Sequence, residues 1–167
     1  MQEFHSSSNN TITSIKDREL TVTRSFAASR ELVFQAWTDP VHLPHWWGPK
    51  GFTITVQEIN VQPGGVWRYV MHGPDGVDYD NQIVYHEVVR PERLVYSHGD
   101  GEEEQFRTTV TFAEQGAQTE ITMQMLFTSS EELKKAIDQY GAIEGARSTL
   151  DRLEEVLKAA AALSNSK

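Results

Sequence analysis

One hundred and sixty-seven residues without a cysteine exclude disulfides, zinc–thiolate centres and thiol nucleophiles, and they suit one domain with a substantial core. A formal net charge of −9, from 24 acidic and 15 basic residues, repels phosphate backbones, so nucleic acid is not an expected partner and the charge is assigned to solubility. No apolar run approaches the ~18 residues of a membrane helix, and the N-terminus lacks a charged-then-apolar signal; the expectation is a cytoplasmic protein with no membrane span.

Residues 1–16 are polar and rich in Ser and Asn, and they read as a disordered leader ahead of a single domain over 17–163, with 164–167 as a tail. Arg18 to Phe26 alternates, with Leu20, Val22 and Phe26 on one face and Glu19, Thr21 and Thr23 on the other, which predicts a first strand. Arg24 falls on the apolar face and therefore needs a strand end or a partner carboxylate. Ser29 caps a short helix, Arg30 to Thr38, that buries Leu32, Val33, Ala36 and Trp37. Asp39-Pro40 starts a second, with Asp as cap and Pro in the first position, and Pro44 limits it to a turn or two before Gly48-Pro49-Lys50-Gly51 ends it.

From Phe52 the period is two. Phe52, Ile54 and Val56 share a face, and after the turn at Pro63-Gly64-Gly65 so do Trp67, Tyr69 and Met71. Pro74-Asp75-Gly76 is a hairpin turn, Pro setting φ and Gly accepting a positive φ. Strands follow from Tyr79 to Val89 and from Arg93 to His98, joined by a turn at Pro91-Glu92 flanked by polar contacts of Glu87 and Arg93. After a solvated acidic loop, Asp100 to Glu104, come Phe106, Thr108, Val110 and Phe112 on one face, then Ile121, Met123, Met125 and Phe127 beyond a turn at Gly116. Ser129 or Ser130 caps a helix that pauses near Gly141. In the last stretch, Ala142 to Leu163, the apolar residues Ile143, Ala146, Leu150, Leu153, Leu157 and Ala160 step by three and four. That spacing draws one stripe down a helix about 33 Å long, which needs a surface to lie against. Strands followed by a long helix predict an α+β fold: a curved antiparallel sheet, in the order β-α-α-β6-α, wrapped on the C-terminal helix.

Four stretches then carry a family resemblance: RSFAASRELVFQAWTDPVHLPHWWGPKGF (Arg24 to Phe52), PGGVWRYVMHGPDG (Pro63 to Gly76), RPERLVYS (Arg90 to Ser97) and GARSTLDRL (Gly145 to Leu153). In this order they resemble the helix-grip, START-like superfamily (SRPBCC), and within it the branch named for the C-terminal domain of the heat-shock-protein-90 ATPase activator homologues. The resemblance implies a sheet gripping the last helix and an interior cavity closed by the two short helices, which in relatives holds lipids, polyketides or other apolar small molecules. Relatives often carry an aromatic after the glycine of the last helix. Here Ala146 takes that place, which either enlarges the cavity or leaves the neighbouring tryptophans to fill it.

The cavity so implied has candidate ligand-binding residues on the short helices, on most of the strands and on the last helix. The short helices offer Trp37, Trp46 and Trp47, the two adjacent tryptophans reading either as a lid that stacks on ligand or as core plugs. The strands offer Trp67, Tyr69 and Met71, then Tyr79 and Tyr85, then Tyr96 and His98. Beyond these stand Phe106, Thr108 and Val110, and the adaptable Met123 and Met125. The last helix adds Ile143, Ala146, Leu150 and Arg147, which either neutralises a ligand carboxylate or pairs with Glu144 or Asp151 on its own helix. No metal is expected: His42 and His45 are three apart but Pro44 disrupts their face, and His72, His86 and His98 lie on separate strands. Without Gly-x-Ser-x-Gly or cysteine there is no nucleophile motif, so no catalytic residue and no cofactor is assigned. The function expected is non-catalytic binding of an apolar or aromatic small molecule, lipid-, polyketide- or flavonoid-like. A cyclase or dehydratase using Tyr96 or His98 is the alternative; a co-chaperone role rests on the family name alone, and a chaperone is not an expected partner.

Overall fold

The computed structural model describes residues 3–8, 11–99 and 104–165, with side chains over 11–99 and 104–160. Most of the acidic loop expected at Asp100 to Glu104 lies outside the described residues. The strands run in chain order as β1 (Glu3–Ser8), β2 (Thr11–Lys16), β3 (Glu19–Phe26), β4 (Thr53–Ile59), β5 (Val66–His72), β6 (Asp78–Val89), β7 (Arg93–Gly99), β8 (Glu104–Gln115) and β9 (Gln118–Phe127). Helices α1 (Arg30–Thr38) and α2 (Leu43–Trp46) follow β3, and α3 (Ser130–Tyr140) and α4 (Ala142–Asn165) follow β9.

Among the described residues nine strands form one antiparallel sheet in the order β1-β2-β3-β9-β8-β7-β6-β5-β4. This is the expected α+β helix-grip architecture, a curved open sheet with a long C-terminal helix. Register shifts interrupt the β4–β5 ladder between Val56 and Glu58 and the β6–β7 ladder between Tyr85 and Glu87. An extra residue in one strand bends it and increases its twist, which helps the sheet curl.

The alternating pattern decides the inner face. Leu20, Val22 and Phe26 on β3, Trp67 and Tyr69 on β5, Leu94 and Tyr96 on β7, Val110 and Phe112 on β8 are buried in one cluster with Leu150, Leu153 and Leu157 of α4. Arg24, also on that face, is 2% exposed and meets the carboxylates it needs: Nη1 donates to Asp151 Oδ1 at 2.6 Å, and Nη2 lies 3.4 Å from Glu154 Oε1. Both acids belong to α4, so the ion cluster ties the helix to β3.

Three expectations are corrected. The leader is not wholly without structure: β1 and β2 extend the sheet beyond β3, and Thr11 and Thr13 are buried. β-Branched Thr and Ile suit a strand, and Arg24 gives the Thr11 hydroxyl a buried donor at 3.3 Å, so polar composition concealed a paired strand. Asp39-Pro40 does not start the second helix; Asp39 ends α1, its backbone N–H bonding Gln35 O, and α2 begins at Leu43 with Pro44 near its start, where no intrahelical N–H is needed. Finally α4 runs to Asn165, into the stretch read as a tail. Elsewhere the local signals hold: Ser29 and Ser129 accept from Leu32 N and Glu132 N, and Gly141, at φ +62°, closes α3.

Candidate functional site

The inner face of the sheet opposite α1, α2 and α4 carries most of the aromatic side chains singled out above. They meet one another. Trp37 and Trp46 stand edge to face with centroids 4.9 Å apart, Trp46 and Trp47 at 5.4 Å, Trp47 and Trp67 at 5.2 Å, and Trp67 tilts over Tyr69 at 4.4 Å. Trp47 also stacks on His98, which stacks on Phe106 at 4.5 Å, which in turn stacks on Phe127 at 4.8 Å. Tyr96 sits among these rings, 6.2 Å from Trp47 and 6.0 Å from Tyr85. Offset and edge contacts of this kind match the ring quadrupoles and stabilise beyond the area buried.

Trp46 and Trp47 are both interior. Trp46 Nε1 donates to Ala36 O at 2.9 Å, and Trp47 Nε1 to the Tyr69 hydroxyl at 2.8 Å. Trp47, at 8% exposed, is the most accessible of the interior tryptophans. It opens the loop between α2 and β4, where Gly48 and Gly51 take φ near +92° and +93°, values that L side chains rarely adopt.

What clasps this loop is Arg152 of α4. Its Nη1 donates to the carbonyls of Trp47, Gly48, Pro49 and Phe52, and its Nη2 to that of His45, at 2.9–3.3 Å. Ser148 Oγ accepts from Lys50 N at 2.8 Å beside it. No sequence signal marks such an arginine, because its partners are backbone oxygens about a hundred residues away.

Other predicted site residues divide. Val110, Met125 and Leu150 are buried; Met71, Phe106, Met123, Ile143 and Ala146 are partly buried against the core. Tyr79 lies at the rim, 45% exposed, its ring 6.3 Å from Phe52. Arg147 pairs with Glu144 on its own helix.

The titratable groups of the aromatic wall are held in their neutral forms. Burial pushes the phenols of Tyr69, Tyr85 and Tyr96 well above their usual range, and it lowers the His98 imidazole to about 4. Two enclosed ring nitrogens, Trp67 Nε1 and His98 Nδ1, have no hydrogen-bond partner among the described residues, whereas Trp37 and Thr108 both bond to the Tyr96 hydroxyl. Native interiors leave few such atoms, and each costs about 1–3 kcal/mol. No group of three His, Asp or Glu side chains among the described residues is placed to hold a metal ion.

The family described as Activator of Hsp90 ATPase homolog 1-like protein matches residues 27–158. The chain belongs to this family. A crystal structure of a protein from Mycobacterium smegmatis is similar at 31% identity, with a TM-score of 0.78 over 86% of this chain and 92% of its own. A solution structure from Arthrobacter aurescens is similar at 25% identity and a TM-score of 0.78, covering 85% of this chain and 87% of its own. A Nitrosomonas europaea protein, 24% identical with a TM-score of 0.77 over 86% of this chain and 96% of its own, shares the fold. None of the curated proteins matches the chain. Membership in this SRPBCC family supports a ligand-binding or co-chaperone-like function. No helix among the described residues is long and apolar enough to cross a membrane.

Proposed function

We propose that the chain binds an apolar or aromatic small molecule, without altering it chemically, in the interior between the sheet and α4. The observation that carries this reading is the pair of ring nitrogens without a partner among the described residues, Trp67 Nε1 and His98 Nδ1, inside an aromatic wall. A scaffold selected for stability alone gains by exchanging such groups for apolar ones of the same shape. Retaining them fits an interior that receives polar atoms from elsewhere. Entry is by displacement of Trp47, the most accessible of the interior tryptophans, and its loop.

Binding without turnover is favoured because acid–base catalysis needs a group that exchanges protons near neutrality. His98 is held near 4, and the buried tyrosines are held above their usual range. The test is a screen of fatty acids, sterols, flavonoids and polyketides by thermal shift and by the indole N–H resonances. Shifts at Trp37 and Trp67 are expected for at least one class; silence across all four overturns the reading. Stimulation of a chaperone ATPase by the chain would favour the co-chaperone reading instead.

A further inference from the structure

We propose that the outer face of the sheet carries a second site, separate from the interior. There Thr55, His72 and Asp78 form a hydroxyl–imidazole–carboxylate triad that hydrolyses small esters bearing no negative charge. The proposal does not depend on the binding reading above.

The three residues stand on adjacent strands, β4, β5 and β6. Trp67, Tyr69 and Met71 of β5 turn inward, so Arg68, Val70 and His72 between them turn outward. His72 and Asp78 are cross-strand partners. Beside them Gly73 N donates to Val77 O at 2.8 Å, which makes His72 and Asp78 a non-hydrogen-bonded pair, the kind whose side chains lie closer. His72 Nδ1 is 2.7 Å from Asp78 Oδ1, and His72 Nε2 is 2.7 Å from Thr55 Oγ1. An ionised carboxylate only accepts, so Nδ1 carries the proton, and in the neutral ring Nε2 is left to accept from the Thr55 hydroxyl. A base within reach of a hydroxyl, with a third group fixing its tautomer, is the arrangement that activates a nucleophile.

The hydroxyl is open to a substrate. Thr55 is exposed, and β4 ends the sheet order, with no strand beyond it among the described residues. By the alternation of the ladder, Thr53 and Thr55 bond to β5, whereas Ile54 and Val56 turn their N–H groups to the open edge. Those donors flank the nucleophile and serve a developing oxyanion. The register shift between Val56 and Glu58 follows at once, and bulges at sheet edges re-aim side chains. Val70, directly across from Thr55, offers an apolar floor for the acyl group. Asp80, across from Val70, shares the outer face of β6 with Asp78, so an anionic ester is repelled.

In the reaction Thr55 Oγ1 attacks the ester carbonyl carbon as its proton passes to His72 Nε2. Asp78 is a positioning residue that holds Nδ1–H and stabilises the imidazolium. The bond to the alcohol oxygen breaks, and the alcohol leaves with the proton from Nε2. Water then gives a proton to the same nitrogen and attacks the acyl-threonine; the acid departs and Thr55 regains its proton. Ester and water become acid and alcohol, with no other reactant.

The experiment supplies the full chain with p-nitrophenyl acetate and with its anionic analogue 4-acetoxy-3-nitrobenzoate. Nitrophenolate release is followed, and acid-quenched protein is mapped by mass spectrometry. An acetyl group on Thr55 is expected, with the neutral ester reacting faster. Thr55→Val and His72→Gln are each expected to slow release roughly tenfold or more, and Thr55→Ser to retain it. Asp78→Asn should also slow release while Asp78→Glu restores part of it, a recovery that a merely structural role would not give. Release by Thr55→Val at the unsubstituted rate overturns the proposal, as does acetyl found on other residues and never on Thr55. The mapping needs no variant, so it decides even where a substitution folds poorly. A faster anionic ester overturns the assignment of substrate charge. None of these outcomes bears on binding in the interior.

Discussion

Trp47 donates its indole proton to the Tyr69 hydroxyl at 2.8 Å, across the gap between the α2–β4 loop and β5. Both groups are buried, so the bond has no water to replace it, and it pins the loop to the sheet. Tyr69→Phe removes the acceptor and strands a buried N–H. A loss of about 1–3 kcal/mol is expected in urea unfolding, with a shifted Trp47 indole resonance. An unchanged midpoint would show that the loop does not depend on this bond.

His98 lies between the rings of Trp47 and Phe106, and burial lowers its pKa from 6.5 to about 4. Between those values the unfolded chain binds the proton that the folded chain refuses, so stability is full above pH 6.5 and falls as pH drops towards 4. The share due to this group is about 3 kcal/mol by pH 4. His98→Phe keeps a ring in the stack and removes that share. Unfolding midpoints at pH 7 and pH 4.5 should therefore draw closer together in the variant; the same pH dependence in both proteins contradicts a buried neutral imidazole.

Arg152 gathers five backbone carbonyls of residues 45–52 onto one guanidinium. Arg152→Met leaves the stem in place and frees those oxygens. Amide exchange over 45–52, Lys50 above all, should accelerate while the sheet keeps its protection. Arg152→Lys should restore part of it, since an ammonium supplies donors without the planar fork. Exchange that rises everywhere at once would mean that Arg152 supports the whole fold and not the loop.

Gly145 sits in the first turns of α4, and a Cβ built there meets only Pro49 Cγ, at 3.8 Å, an ordinary contact. Gly145→Ala then reduces the freedom of the unfolded chain and is expected to stabilise by about 0.5–1 kcal/mol. A lower melting temperature would mean that the loop around Pro49 needs room at this helix.

The sequence by itself determined the strands from Glu19 onward and the helices α1, α3 and α4, and for most of them which side is buried. Period-two alternation through Trp67, Tyr69 and Met71 and the three-and-four stepping through Leu150, Leu153 and Leu157 are local consequences of backbone geometry, as are the caps at Ser29 and Ser129 and the stop at Gly141. Where polar residues occupy buried strand positions the same reading fails, as at Thr11 and Thr13, because a hydroxyl that finds a partner is indistinguishable in sequence from one that faces water. Only the tertiary structure decided that Arg24 finds Asp151, that Arg152 clasps the loop of Trp47, and that Trp37 and Thr108 meet the Tyr96 hydroxyl. Those meetings depend on how far the sheet curls and where α4 crosses it, which is set by packing summed over the whole chain and is written in no single segment.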